Sequence, residues 1–229
     1  IKGNITYVKK DQNVVNTGQG ADAGEGNTLS QELLQVPRDI SIVDLEDYTN
    51  NPYNTNSNYF SPYTNNPYWS VKENATIVDG NRFYGNANLS YKINDHFSAS
   101  YQLGGDYRSE KVKSYGAIVK FLPGSPQQLA AANEVVGGVT ERSTENLEYD
   151  SNLILNYNST VAEDFGIAAF VGFNANQRKG SALAASITNL VIPNFYELSN
   201  SSIKPAVAQS NFERKSYSLF ASFETSYKN

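Results

Sequence analysis

The sequence contains no cysteine and no methionine. Disulfide, thiol and cysteine–zinc chemistry are therefore excluded, and cysteine gives no reading of redox compartment. There is one histidine, His96, and one tryptophan, Trp69. A single histidine cannot build a His-based zinc site, and it gives a serine–histidine triad no support. Charged residues make up only 18% of the chain, with a net charge of −5. This mildly acidic balance argues against a nucleic-acid partner, which would want clustered lysine and arginine. No run of about 18 apolar residues occurs, so helical membrane spans are excluded. Spans built from strands stay open, because each needs only about 9–11 alternating residues. The chain opens on Ile1 without a methionine and closes on Tyr227, Lys228 and Asn229. It is expected to be an internal piece of a longer protein, with any targeting segment elsewhere.

What the chain does contain is aromatic residues, 12% of the total, and a two-residue rhythm. Phe83, Gly85, Ala87, Leu89, Tyr91 and Ile93 alternate with Asn86, Asn88, Ser90 and Lys92. Phe97, Ala99, Tyr101 and Leu103 alternate with Ser98, Ser100 and Gln102. The same pattern returns at Tyr149, Leu153, Leu155 and Tyr157, at Phe165, Ile167, Ala169, Val171 and Phe173, and at Tyr217, Leu219, Ala221, Phe223 and Tyr227. Successive side chains on a strand point to opposite faces, so each segment predicts a strand with one apolar and one polar face. Aromatic residues near the segment ends suit an apolar face that meets lipid. The lipid-facing candidates are Phe83, Leu89, Tyr91, Phe97, Tyr101, Leu103, Leu153, Leu155, Tyr157, Ile167, Val171, Phe173, Leu219 and Phe223. Gly3 to Val8 reads as the end of an earlier strand.

Short and long connections alternate. Asn94, Asp95 and His96 form one tight turn, and residues 161–164 form another. The other connections, about 14–69, 116–146 and 180–213, are long. Turns at one end and loops at the other match an outer-membrane barrel; a soluble sandwich would show turn signals at both ends. The fold expected is all-β: an antiparallel transmembrane β-barrel segment over 1–229, with extracellular loops containing short helices. Thr28 and Gln31 suggest a helix start that Pro37 stops, and Ser125 with Pro126 suggests another. Five or six strands cannot close a membrane barrel, for which the smallest bacterial examples use eight.

Candidate chemistry is thin, and no enzyme activity is expected. His96 reads best as a polar turn residue. Asp44, Glu46 and Asp47, and separately Glu163 and Asp164, bring carboxylates together; a loop calcium site is a minority reading and catalysis is disfavoured. Gly18, Gly20 and Gly24 lack the strand and helix a phosphate cradle needs and read as a loop tip. The Asn74–Thr76 and Asn88–Ser90 glycosylation triplets fit chance in an Asn- and Ser-rich chain. Asp106, Arg108, Lys111 and Lys113 read as a solvated rim. The aromatic tract of Tyr53, Tyr59, Phe60, Tyr63, Tyr68 and Trp69 is the best candidate for substrate or partner contact. Rings can pack on sugar C–H faces or seal a protein interface. Packing of the loop against its neighbours, or an outer girdle, is the preferred reading of the same residues.

Taken in order, several runs resemble the SusC/RagA family of TonB-dependent outer-membrane transporters of Bacteroidota. They are Glu32 to Ile42 with Pro37 and Arg38, then Asp44 and Leu45, Asn66 to Trp69, Asn81 to Asn86, and Leu89 to Lys92. Pro193 to Asn200 and Arg214 to Ser222 continue the likeness, which covers about residue 28 to the end. The resemblance implies the middle of a large plugged barrel, plausible for the 22-stranded class. It implies import of oligosaccharides or peptides beneath a SusD-like surface lipoprotein, driven through the plug by the TonB complex, with outer-membrane lipid around the wall. No plug, TonB box or N-terminal extension is recognisable in this stretch. A passive porin or channel is the alternative, and a soluble β-sandwich adhesin or lectin the third reading.

Overall fold

A computed structural model of the protein describes residues 1–15, 29–162 and 164–227. The glycine-rich stretch, Thr28 and Glu163 lie outside them. Six strands form one antiparallel sheet in sequence order. They are β1 (Lys2–Val14), β2 (Ala75–Lys92), β3 (Phe97–Val119), β4 (Val135–Ala162), β5 (Phe165–Thr188) and β6 (Ala206–Tyr227). Among the described residues, three short helices and a 3-10 turn decorate the connections: α1 (Leu29–Leu34), the 3-10 turn Val43–Glu46, α2 (Pro67–Glu73) and α3 (Pro126–Leu129). No helix among the described residues is long and apolar enough to cross a membrane, which says nothing of strands.

Register fixes the faces. Leu89 pairs with Tyr101, Tyr101 with Leu153, Leu153 with Phe173 and Phe173 with Leu219. All fourteen lipid-facing candidates lie on this one face. Tyr7, Phe83, Tyr107 and Leu147 form its upper row through consecutive pairings. On β3 the apolar band runs from Phe97 to Tyr107, ten residue steps. At about 3.4 Å per residue that is about 34 Å of strand. A tilt of 35–45° reduces it to about 24–28 Å of height, against about 25 Å for the apolar band of an outer-membrane barrel. The band stays bare: Leu89 is 48% exposed and Phe223 68%. No second sheet covers it among the described residues.

The strands run further than the alternation indicates. The expected loops 116–146 and 180–213 shrink to 120–134 and 189–205, because β3 reaches Val119, β4 starts at Val135, β5 reaches Thr188 and β6 starts at Ala206. Charged and polar residues beyond the apolar band hide this continuation. Lys113 sits 3.2 Å from Glu141 across β3 and β4, and Lys179 3.6 Å from Glu213 across β5 and β6. Cross-strand opposite charges sustain a ladder where no apolar pattern marks one. The Gly3–Val8 segment likewise extends to Val14 as β1.

The tight connection at Asn94 follows from local chemistry. Asn94 Oδ1 accepts from the backbone N–H of His96 at 2.9 Å and of Phe97 at 2.8 Å. This is the Asx turn that a short polar side chain favours. His96 Nδ1 lies 3.2 Å from the Asn158 carbonyl, so the lone histidine ties the turn to β4. At the opposite end Gly137 of β4 has φ +67°, a conformation that favours glycine; a Cβ there would lie 2.9 Å from Leu190 Cδ1.

Candidate functional site

Three surfaces carry the chemistry: the apolar face, the polar face and the loop layer at the long-loop end. The apolar face is bracketed by aromatic rings. Tyr7 and Phe83 contact at 4.6 Å between ring centres at the upper row, and Phe97 and Tyr157 at 4.9 Å beside the short turns. Aromatic rings in two rows, each with a tyrosine, suit the two edges of a hydrocarbon slab.

The polar face holds an amide–carboxylate ladder that period-2 reading alone does not single out. Asp150 Oδ1 accepts from Asn152 Nδ2 at 2.7 Å, and its Oδ2 accepts from Asn174 Nδ2 at 3.0 Å and Asn176 Nδ2 at 3.2 Å. Glu148 Oε1 accepts from Asn176 Nδ2 and from Arg178 Nε, both at 2.9 Å. Further up, Asp106 is bound by the Arg82 guanidinium, whose Nε lies 2.9 Å from Oδ1. The signal for this ladder was the even-numbered set 148, 150, 152, 174, 176 and 178. The rim candidates divide between faces. Asp106 and Arg108 join this polar side, with Arg108 2.8 Å from Glu110. Lys111 and Lys113 lie on the other.

The loop layer is built on Asn66. Its side chain and backbone are fully buried. Asn66 Nδ2 donates to the carbonyls of Leu45 at 2.8 Å and Asn54 at 3.0 Å. Its Oδ1 accepts from Tyr68 N–H at 2.9 Å, capping α2, and its own N–H donates to Asn56 Oδ1 at 2.8 Å. Asn at the cap with Pro67 at the first helical position is a strong start signal, and it explains a helix that the sequence reading missed. Ser125 caps α3 in the same way, as the sequence suggests. Gln127 on α3 donates through Nε2 to the carbonyls of Tyr59 and Ser61 at 2.8 and 3.0 Å.

Trp69 on α2 packs with Ala117 and Val119, and Val139 packs with Ile187 and Leu190. Ala75, Tyr115, Val139 and Ile187 form one row across β2 to β5. Each is an even number of residues from Leu89, Leu103, Leu153 or Phe173 on its own strand. The loop layer therefore packs on the same face as the apolar band, above it. Tyr196, from the β5–β6 connection, stacks on Tyr115 at 4.1 Å, and burial pushes its hydroxyl up to about 12.

The aromatic tract is not one patch. Tyr59 is 1% exposed and Trp69 9%, so both are packing residues. Phe60 contacts Tyr59 at 4.3 Å, and Phe60 and Tyr68 are half-buried. Tyr53 and Tyr63 stand in solvent at 72% and 75% exposure. Of the acidic candidates, Asp47 Oδ1 accepts from Asn50 N–H at 3.0 Å, and that bond holds its carboxyl below the usual range. Among the described residues no three His, Asp or Glu side chains gather in a group that could hold a metal ion.

No protein-family model and no curated protein matches this sequence. Solved structures do. The chain is similar to a chain of the RagAB peptide transporter, with a TM-score of 0.60 and 15% identity over 72% of this chain and 18% of that one. The RagAB peptide importer in its closed-closed and open-open states gives a TM-score of 0.61 at 15% identity in both cases. Coverage of this chain is again 72%, and it spans under a fifth of the transporter chains it matches. At this identity the likeness is one of fold: an antiparallel β-sheet shared with transporter chains, which fits a β-barrel membrane protein.

Proposed function

We propose that this chain forms a section of barrel wall, with its extracellular loops, in a TonB-dependent outer-membrane importer of the SusC/RagA kind. The observation that carries the reading is the two-sided sheet. One face has a bare apolar band of about 25 Å between aromatic rows, and the other an amide–carboxylate ladder around Asp150. Open strand edges in hydrocarbon would leave backbone groups unpaired at several kcal/mol each, so β1 and β6 pair with further strands of a closed barrel. The polar face around Asp150 then lines the interior and is the cargo-side surface. Tyr53 and Tyr63 are the exposed members of the aromatic tract, and Tyr53 is the one offered to cargo or a SusD-like lipoprotein. Cargo is a polar oligomer, peptide or oligosaccharide; likeness to a peptide importer favours peptides. The wall carries no catalytic step and needs no cofactor, and energy reaches the whole protein through the TonB complex.

The test is uptake of labelled oligopeptides and oligosaccharides by cells with and without the intact protein. An uncoupler of the proton-motive force is added in parallel. Uptake abolished by deletion and by the uncoupler supports active import and names the cargo class. Uptake that survives the uncoupler makes the protein a passive channel. Recovery of the intact protein in soluble form without detergent refutes both.

A further inference from the structure

The loop layer buries one acidic side chain that the wall does not use. Glu32 on α1 is 1% exposed. Its Oε1 accepts from the Ser70 hydroxyl of α2 at 2.6 Å, and its Oε2 has no partner. None of the ion pairs found among the described residues involves it. Residues 16–28, which precede α1 in the sequence, include no lysine or arginine. On α2, Lys72 lies over the Tyr48 ring and Glu73 accepts from the Tyr48 hydroxyl. The neighbouring 3-10 turn offers only Asp44 and Glu46. Tyr59, itself 1% exposed with an unpartnered hydroxyl, is the titratable group that senses the Glu32 charge.

A carboxylate in such a place has only neutral donors, the Ser70 hydroxyl and the Asn65 amide, and no counter-charge, so ionisation is penalised; the neutral acid escapes that penalty. The Glu32–Ser70 bond is a polar tie between α1 and α2. Trp69 in turn fixes α2 to β3 through Ala117 and Val119. We propose that Glu32 is a proton-operated latch, which holds α1 on α2 as the neutral acid and releases it on ionisation. Burial pushes the carboxyl up to about 7, and the Ser70 hydroxyl and Asn65 amide pull it only part of the way back. The docked state thus holds its proton to higher pH than the released state. Docking is full below about 4.5 and is lost as pH rises to and through about 7. A gap of about 2.5 pH units sets the limit of the loss at about 300-fold in the docking constant.

Hydrogen–deuterium exchange of the intact protein in detergent micelles tests this, from pH 5 to pH 8.5 with intrinsic exchange corrected. Peptides spanning 29–36 are expected to lose about a hundredfold of protection across the range, while peptides of β3 and β4 keep theirs. Glu32→Gln, neutral throughout, is expected to hold protection flat. A flat wild-type profile overturns the proposal, and so does an unchanged slope in Glu32→Gln. If that variant does not fold, the wild-type profile decides alone. The readout is loop protection, so its outcome is independent of whether the protein transports anything.

Discussion

Leu103 and Gln102 are neighbours on β3, yet the sheet assigns them opposite solvents. Leu103 is 45% exposed and lies four residues from the upper end of the apolar band at Tyr107 and six from its lower end at Phe97. Its depth is therefore close to the middle of a hydrocarbon layer, where arginine on the lipid face of a barrel costs about 2–4 kcal/mol. That is a fall of about 30-fold to about 900-fold in the folding equilibrium. Gln102 points to the polar face and is exposed; Gln102→Arg there changes stability by no more than about 0.5 kcal/mol. Phe83, at the edge of the band, should pay only about 0–1 kcal/mol for the arginine charge. The assay is equilibrium unfolding of the intact protein in phospholipid bilayers, with Leu103→Arg, Gln102→Arg and Phe83→Arg measured side by side. Equal costs for Leu103→Arg and Gln102→Arg would show that the faces do not meet different solvents, and the wall reading would fall.

Asn66→Ala removes a helix cap and leaves the buried Leu45 and Asn54 carbonyls without their donor. At about 1–3 kcal/mol per orphaned group it should loosen 44–73, seen as proteolytic nicking there while the strands stay protected. Trp69→Ala empties the cluster with Ala117 and Val119 and should weaken α2 docking by about 3–5 kcal/mol, read by exchange of residues 67–73. A Cβ on Gly85 would lie 2.2 Å from the Asn4 carbonyl oxygen, whereas on Gly105 it would meet only the Tyr149 ring at 3.8 Å. Gly85→Ala should therefore lower the unfolding midpoint through an overpacking cost of about 1–3 kcal/mol, and Gly105→Ala should leave it unchanged or raise it. Lys113→Ala breaks partly exposed pairs with Glu141 and Glu197 and should shift stability by less than about 1 kcal/mol.

Strand identity was legible because side-chain alternation is local: Phe83 to Tyr91 must show two faces whatever they pair with. The Asn94 turn and the Ser125 cap were equally readable, since each satisfies backbone groups within three residues. Strand ends were not, because beyond Tyr107 and Leu147 the ladder is sustained by charges whose partners sit on another strand. The loop residues were harder still. Tyr53 and Tyr59 look alike in sequence, but one stands in solvent and the other is sealed under the loop layer, a difference made by Gln127 and Glu32 arriving from far along the chain. The sequence by itself determined that these strands have an oily side and a wet side. Only the tertiary structure decided which loop residues cover the oily side above the band and which acid they bury, because such contacts join residues dozens of positions apart and leave no periodic trace.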